Sequence, residues 1–319
     1  QCLVGSEMCI RDRPSLAPVS VQQNPAGLGW SFAVRNRVCT SSVATTMHKL
    51  LIPLIACFLS ALTPAALAGC LELEGSLVQG GLVWGKVAPG STVTLDGEAL
   101  DVLADGTTLA GFGRDAAPVA ELAVGDCTQT LRIARRDYNI QRVEGVPQET
   151  VTPPPERLER IRRERQLVGA AKAKNLQRPD LLQAALGGFD WPAIGPISGV
   201  YGSQRIYNGT PKSPHYGVDV AMPTGTPVRA PSTGVVTLAE SDLFYSGGTI
   251  ILDHGYRLSS SFLHLSKVQV EVGQEVQAGE VIGEIGASGR ATGAHLDWRM
   301  SWRNQRIDPQ LLVPPMPKP

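Results

Sequence analysis

Of the five histidines in the chain, four fall in its last third: His215, His254, His264 and His295. Histidine is the commonest metal ligand and a frequent acid–base group, so this clustering points to chemistry in that region. His215 and Asp219 offer one nitrogen and one oxygen donor four residues apart, a start for a zinc site. On a strand, His295 and Asp297 are two residues apart and project from the same face, so one can bind a metal while its neighbour works beside it. His264 follows an apolar run that places it on a neighbouring strand. With a water in the open position, these pieces make a hydrolytic metal site. His254, in Leu252-Asp-His-Gly255, reads as a hydrogen-bonding support rather than a ligand.

The elements that must position these groups are strands. The segments Val235–Leu238, Thr249–Leu252, Leu258–Leu265, Val268–Val272 and Val281–Ile282 are predicted strands, closely punctuated by Gly and Pro. Trp298 and Trp302 are expected to pack in the core and at its rim. Residues 69–146 read as a separate small β-sandwich. Its strand candidates are Leu77-Val78, Leu82–Trp84, Thr92–Leu95 and Leu131–Ile133, with Asp96-Gly97 and Asp105-Gly106 as hairpin signals. Residues 147–188 are expected to form a Pro-rich linker and one charged helix over 156–174. Leu158, Ile161, Leu167, Val168 and Ala171 form its apolar stripe, and its arginines form a basic face. Residues 189–319 complete the chain as an antiparallel β domain. The fold class is therefore mainly β, in two domains with a helical linker, each domain having its own core.

The motifs carry a resemblance. His215-x-x-x-Asp219 is followed by Met222-Pro-Thr-Gly-Thr-Pro-Val-Arg-Ala-Pro-Ser-Thr-Gly-Val-Val236. Then come Phe262-Leu-His-Leu-Ser266, Gly273-Gln-Glu-Val-Gln-Ala-Gly-Glu-Val-Ile-Gly283 and Thr292-Gly-Ala-His-Leu296. Over about residues 195–310 this order resembles the LytM/lysostaphin-type zinc metallopeptidases. The resemblance implies an antiparallel β fold with a narrow groove and hydrolysis of peptide bonds in peptidoglycan. It makes His215 and Asp219 the first two zinc ligands, and His264 and His295 the catalytic pair. The family's third ligand is the second histidine of His-x-His, and here that place is taken by Asp297. Aspartate is a competent ligand. Two carboxylates should offset the ion's charge more completely, weaken it as a Lewis acid and favour Mn2+ alongside Zn2+. Arg205 and Tyr207, upstream of His215, are candidate substrate contacts.

Three functional classes remain to be compared. An active wall endopeptidase uses the full constellation. A non-catalytic regulator of wall amidases, with the charged helix as a docking or self-masking element for an amidase or divisome partner, is motivated by Asp297. A biotinyl or lipoyl carrier is excluded, because its attachment lysine is missing from the hairpin. A formal net charge of zero argues against a nucleic-acid partner.

The start of the chain carries address signals. Met47-His-Lys and the apolar run Leu50–Leu62 end in the small residues Ala65–Ala68, a signal-peptide pattern over 47–68. Residues 1–46 precede it and are expected to be a non-native leader, within which residues 2–13 resemble a translated sequencing adaptor. The expected destination is the bacterial periplasm. Cys70 and Cys127 flank the N-terminal domain as a disulfide would. The alternative is a lipidated Cys70 that anchors the protein to a membrane.

Overall fold

Short β-branched runs separated by turn formers dictate the N-terminal architecture, which a computed structural model describes over residues 69–144 and 155–317. The expected leader, the signal peptide and most of the Pro-rich linker lie outside the described residues. Strands Glu74–Gly75, Leu82–Lys86 and Thr107–Gly111 form one antiparallel sheet. Strands Val93–Leu95, Glu98–Ala99, Val119–Val124 and Cys127–Arg132 form a second. Val83 and Ala110 of the first sheet meet Val93, Leu122 and Leu131 of the second in a buried cluster, which makes a sandwich. Asp96 and Gly97 both take positive φ, 49° and 81°, as a primed hairpin turn between short strands requires. The Cys70 and Cys127 sulfurs are bonded to each other, tying the start of the described chain to the last strand of the second sheet. Leu77-Val78 is no strand. Val78 makes a single bridge to Ala134, because the chain turns at once through Gly80 at φ 84°.

In the C-terminal part the main sheet runs, in spatial order, Glu275–Val276, Gly234–Leu243, Gly247–Asp253, Leu258–Val268, Leu296–Trp302, Gly217–Val220 and Ile197–Gly199. All its pairings are antiparallel. Strand Pro227–Arg229 pairs with Val281–Ile285, which in turn pairs with Leu258–Val268. Trp298 and Phe262 sit opposite each other, fully buried, in a cluster that also takes in Leu82 and Leu109. The N-terminal sandwich, besides its own core, therefore shares apolar surface with the C-terminal sheet. A short parallel pairing of Ile140–Val143 with Gln204–Tyr207 adds a second tie. The expected strand Val268–Val272 ends at Val268, and Val270 is buried from a loop instead.

The linker holds two helices rather than one. Helix α1 spans Leu158–Ala173, close to its expected bounds, and α2 spans Pro179–Leu186. Proline at the first position of α2 costs no hydrogen bond, and Leu181, Leu182 and Ala185 bury one face. The apolar stripe of α1 is narrower than expected. Ile161 and Ala171 are buried and Val168 packs on Leu238, Leu243 and Ile251, whereas Leu158 and Leu167 face solvent. Arg160, on the expected basic face, bonds Glu164 and Asp242 and pins α1 to the end of strand Gly234–Leu243.

His254 is fully buried between the Thr233 carbonyl and the Ser260 hydroxyl, each 2.9 Å from a ring nitrogen. Burial lowers its pKa to about 4, against the hydrogen bond to Thr233. The adjacent Asp253 is pushed up to about 6 by its own burial, opposed by the hydrogen bond it accepts from the Gly255 amide. As pH falls from 6.5 to 4, neutral His254 withdraws stability, because the unfolded chain binds the proton first. Over nearly the same window, Asp253 restores it. Replacing His254 by Gln removes one half of this balance. Relative to the native chain, the unfolding free energy of His254→Gln should then rise on acidification, by about 1 kcal/mol per pH unit between pH 6 and 4.5. Denaturant titrations at several pH values measure it, and parallel pH profiles would contradict it.

Candidate metal centre

Three strands bring the candidate ligands together. Asp219 lies directly opposite Asp297 across the pair Gly217–Val220 and Leu296–Trp302, and Leu263 lies opposite Asp297 on its other side. His215 is held just before the first of these strands, its backbone N–H donating to the Ser203 carbonyl at 2.8 Å. Ligand atoms of His215, Asp219 and Asp297 all lie within 4.8 Å of one another, one nitrogen with two carboxylates. Glycines make the room. A methyl at Gly199 would collide with the Asp219 carboxylate, and one at Gly217 would come 2.5 Å from Asp297 Oδ1.

The donors fit a cation. His215 Nε2 and Asp219 Oδ1 are buried, 3.1 Å apart, and neither has a hydrogen-bond partner. Two orphaned buried polar atoms converging without bonding each other are what a shared metal ligand set looks like before the ion is added. Asp297 differs, because it already has a cation. Arg299, two residues on and on the same face, donates from Nε to both carboxylate oxygens at 3.0 Å and from a terminal nitrogen to Oδ2. Burial of Asp297 would raise its pKa, but the Arg299 charge and hydrogen bonds win and hold it below the ordinary carboxylate range. A carboxylate has about four lone-pair sites, so this grip leaves capacity towards the metal position. Arg299 thus takes up part of the charge that two carboxylates are expected to set against the ion. Asp297 with Arg299 is a neutral pair.

His264 and His295 flank this cluster, ring centroids 4.8 Å apart. His264 occupies a bulge. Phe262 pairs with Ile250 and Leu265 with Gly248, so two residues oppose one, and His264 takes φ 64°. That left-handed conformation costs of order 1–2 kcal/mol for a side chain with a Cβ. Its Nδ1 faces the Ser288 carbonyl at 2.8 Å, and the Ser288 hydroxyl is anchored to the Leu265 carbonyl. A ring nitrogen facing a carbonyl must carry the proton, so Nε2 of the neutral ring holds the lone pair. Burial keeps the ring neutral by lowering its pKa, against the bond to Ser288. His295 repeats the arrangement, with Nδ1 at 2.9 Å from the Gly293 carbonyl and Nε2 at 4.0 Å from Asp219 Oδ1. Arg205 and Tyr207 stand apart. They bond each other and Gln141, and no contact ties them to the five residues above. Trp298 and Trp302 are buried.

Residues 213–309 match peptidase family M23. The peptidoglycan DD-endopeptidase ShyA of Vibrio cholerae is 35% identical over 130 residues, 40% of this chain and 30% of its own length. The lipoprotein NlpD/LppB homolog of Pseudomonas aeruginosa is 32% identical over 136 residues, 43% of each chain. A crystal structure described as a peptidase M23 from Pseudomonas aeruginosa aligns with a TM-score of 0.55 at 29% identity, covering 74% of this chain and 94% of that one. The chain thus spans less than half the length of these two curated relatives.

Breaking the Asp297–Arg299 pair by Arg299→Met strands a buried carboxylate and should destabilise the protein by about 3 kcal/mol. Added zinc should then raise the melting temperature more than in the native protein, because the ion replaces the lost cation. Melting curves with and without zinc measure both effects, and an unchanged melting temperature without metal would contradict the first.

Proposed function

We propose that this chain, whose residues 213–309 are a peptidase M23 domain, hydrolyses peptide bonds in the peptide cross-links of bacterial peptidoglycan, outside the cytoplasm. The observation that carries the reading is the pair of orphaned donors, His215 Nε2 and Asp219 Oδ1, beside two histidine rings 4.8 Å apart whose Nδ1 atoms are each turned to a backbone carbonyl. When bound there, a zinc or manganese ion supplies Lewis acidity to the scissile carbonyl and to the attacking water. His215, Asp219 and Asp297 hold it. Arg299 keeps Asp297 ionised and aimed. His264, neutral and locked by Ser288, accepts the proton of the attacking water at Nε2. The same nitrogen then returns a proton to the leaving amine. His295, the second ring on that side, 4.8 Å from His264, contributes to binding the transition state. Arg205 and Tyr207 serve, in this reading, as outlying substrate contacts.

The Cys70–Cys127 bond supports an oxidising destination, the periplasm, and a sulfur so engaged carries no lipid. No described helix is long and apolar enough to cross a membrane.

A second reading is favoured by the same ion pair. If Arg299 holds Asp297 too firmly for a metal to share it, the domain binds wall and activates an amidase or divisome partner instead of cutting. The likeness to an NlpD/LppB homolog accords with that role.

Digestion of purified sacculi separates the two. New peptide ends, released by the native protein and abolished by chelator and by His215→Ala, are expected. Intact sacculi after supplementation with zinc or manganese would overturn the peptidase reading and leave the regulator.

A further inference from the structure

On the far side of Arg299 the sheet opens into a cavity of about 550 Å3 between the N-terminal sandwich, α1 and the hairpin at residues 302–306. Four cations line it, Lys172, Arg257, Arg303 and Arg306, against one carboxylate, Glu98. Arg303 is answered by Asp101 at 3.1 Å, but its Nε is buried without an acceptor. The same holds for Arg257 Nε and for Trp302 Nε1. Lys172 has a hydroxyl, Ser301 Oγ at 3.5 Å, and no carboxylate among its contacts. Its pKa is depressed by burial and then by the charges of Arg306 and Arg299, and that of Arg306 falls likewise by burial and by Arg299. Desolvated like charges with buried donors unanswered are costly unless an anion completes them.

The position of the cavity says which anion. Asp297, Arg299 and Ser301 alternate on one face of strand Leu296–Trp302, and Ser301 pairs with Arg306. Four residues of strand separate Ser301 from Asp297, about 13 Å. An extended peptide covers that distance in four residues. The cavity wall also includes Trp302 and Leu100, so the occupant is an organic acid rather than a bare inorganic ion.

We propose that this cavity is a second binding site, taking the free carboxylates of a wall peptide whose scissile bond lies at the metal centre. It rests on the peptidase reading above and adds to it the substrate's charge. In it Lys172 and Arg306 receive the carboxylate, and Arg257 and Arg303 add positive charge to the cavity wall.

The test is calorimetric titration of the metal-loaded full chain with a synthetic wall tetrapeptide as free acid and with every carboxyl amidated. Charge-assisted hydrogen bonds should make the acid bind about ten-fold more tightly. Lys172→Met and Arg306→Gln should each remove most of that preference. Lys172→Met should also melt no lower than the native chain, since it deletes a desolvated cation, so a lost preference is not misfolding. Equal affinity for acid and amide, or a preference that survives both substitutions together, would overturn the proposal. So would displacement of the peptide by inorganic phosphate at equal concentration, which marks an inorganic-anion site. The two readings fail separately. Sacculi cut equally well by native and doubly substituted protein, with no acid preference, defeat the cavity alone. Acid preference without any cutting defeats the peptidase.

Discussion

A carboxylate sunk among three strands must find a cation or give up its charge. Asp297 has only a few per cent of its side chain exposed, and it stays ionised because Arg299 lies two residues along the same strand, on the same face. The pair decides more than its own energy. It keeps a buried carboxylate ionised beside Asp219 while balancing its charge. It also fixes Asp297 opposite Asp219, so that the open donors of His215 and Asp219 face a defined point. Beyond Arg299, its charge bears on Lys172 and Arg306 and leaves the adjoining cavity short of anions.

The sheet supplies the rest through local irregularities. Regular antiparallel pairing alone would send His264 to the wrong direction or leave it buried without a partner. One extra residue between Phe262 and Leu265 turns it towards His295, and the Ser288 carbonyl then fixes its tautomer. Gly199 and Gly217 admit the two carboxylates by having no side chain in their way. Strain, missing atoms and a buried ion pair gather in one place while the surrounding strands remain regular. That concentration is the usual mark of a site rather than of a core.

Much of this was legible from residue order. Clustered histidines, the spacing of His215 and Asp219 and the run of Gly-punctuated strands mark the sheet and its candidate ligands directly, because period-2 alternation and turn chemistry are local properties. Arg299 was legible in principle, since the rule that puts His295 and Asp297 on one face puts Arg299 there too. The bulge at His264 leaves no clear sequence mark, because even residues enriched at positive φ adopt it only rarely and the register shift is set by the pairing with strand Gly247–Asp253. Helix α2 carries its signals, Pro179 at the start and Gly187 after the end, but a linker read as one helix absorbed them. The exposure of Leu158 and Leu167 depends on how far α1 overlaps the sheet, a tertiary fact that periodicity does not contain. The cationic cavity is assembled from separate segments between Leu95 and Arg306, and only the fold brings them together.

The central claim is that Asp297, paired with Arg299, can serve as the third ligand of a metal ion beside His215 and Asp219. X-ray absorption at the zinc edge of the zinc-loaded protein tests it most directly, since imidazole rings leave a distinct multiple-scattering signature and carboxylates do not. One imidazole, that of His215, in a shell otherwise of oxygen is the expected result. Two or more imidazoles would mean that His264 or His295 has been drawn onto the ion and that Asp297 is no ligand, which would contradict the account.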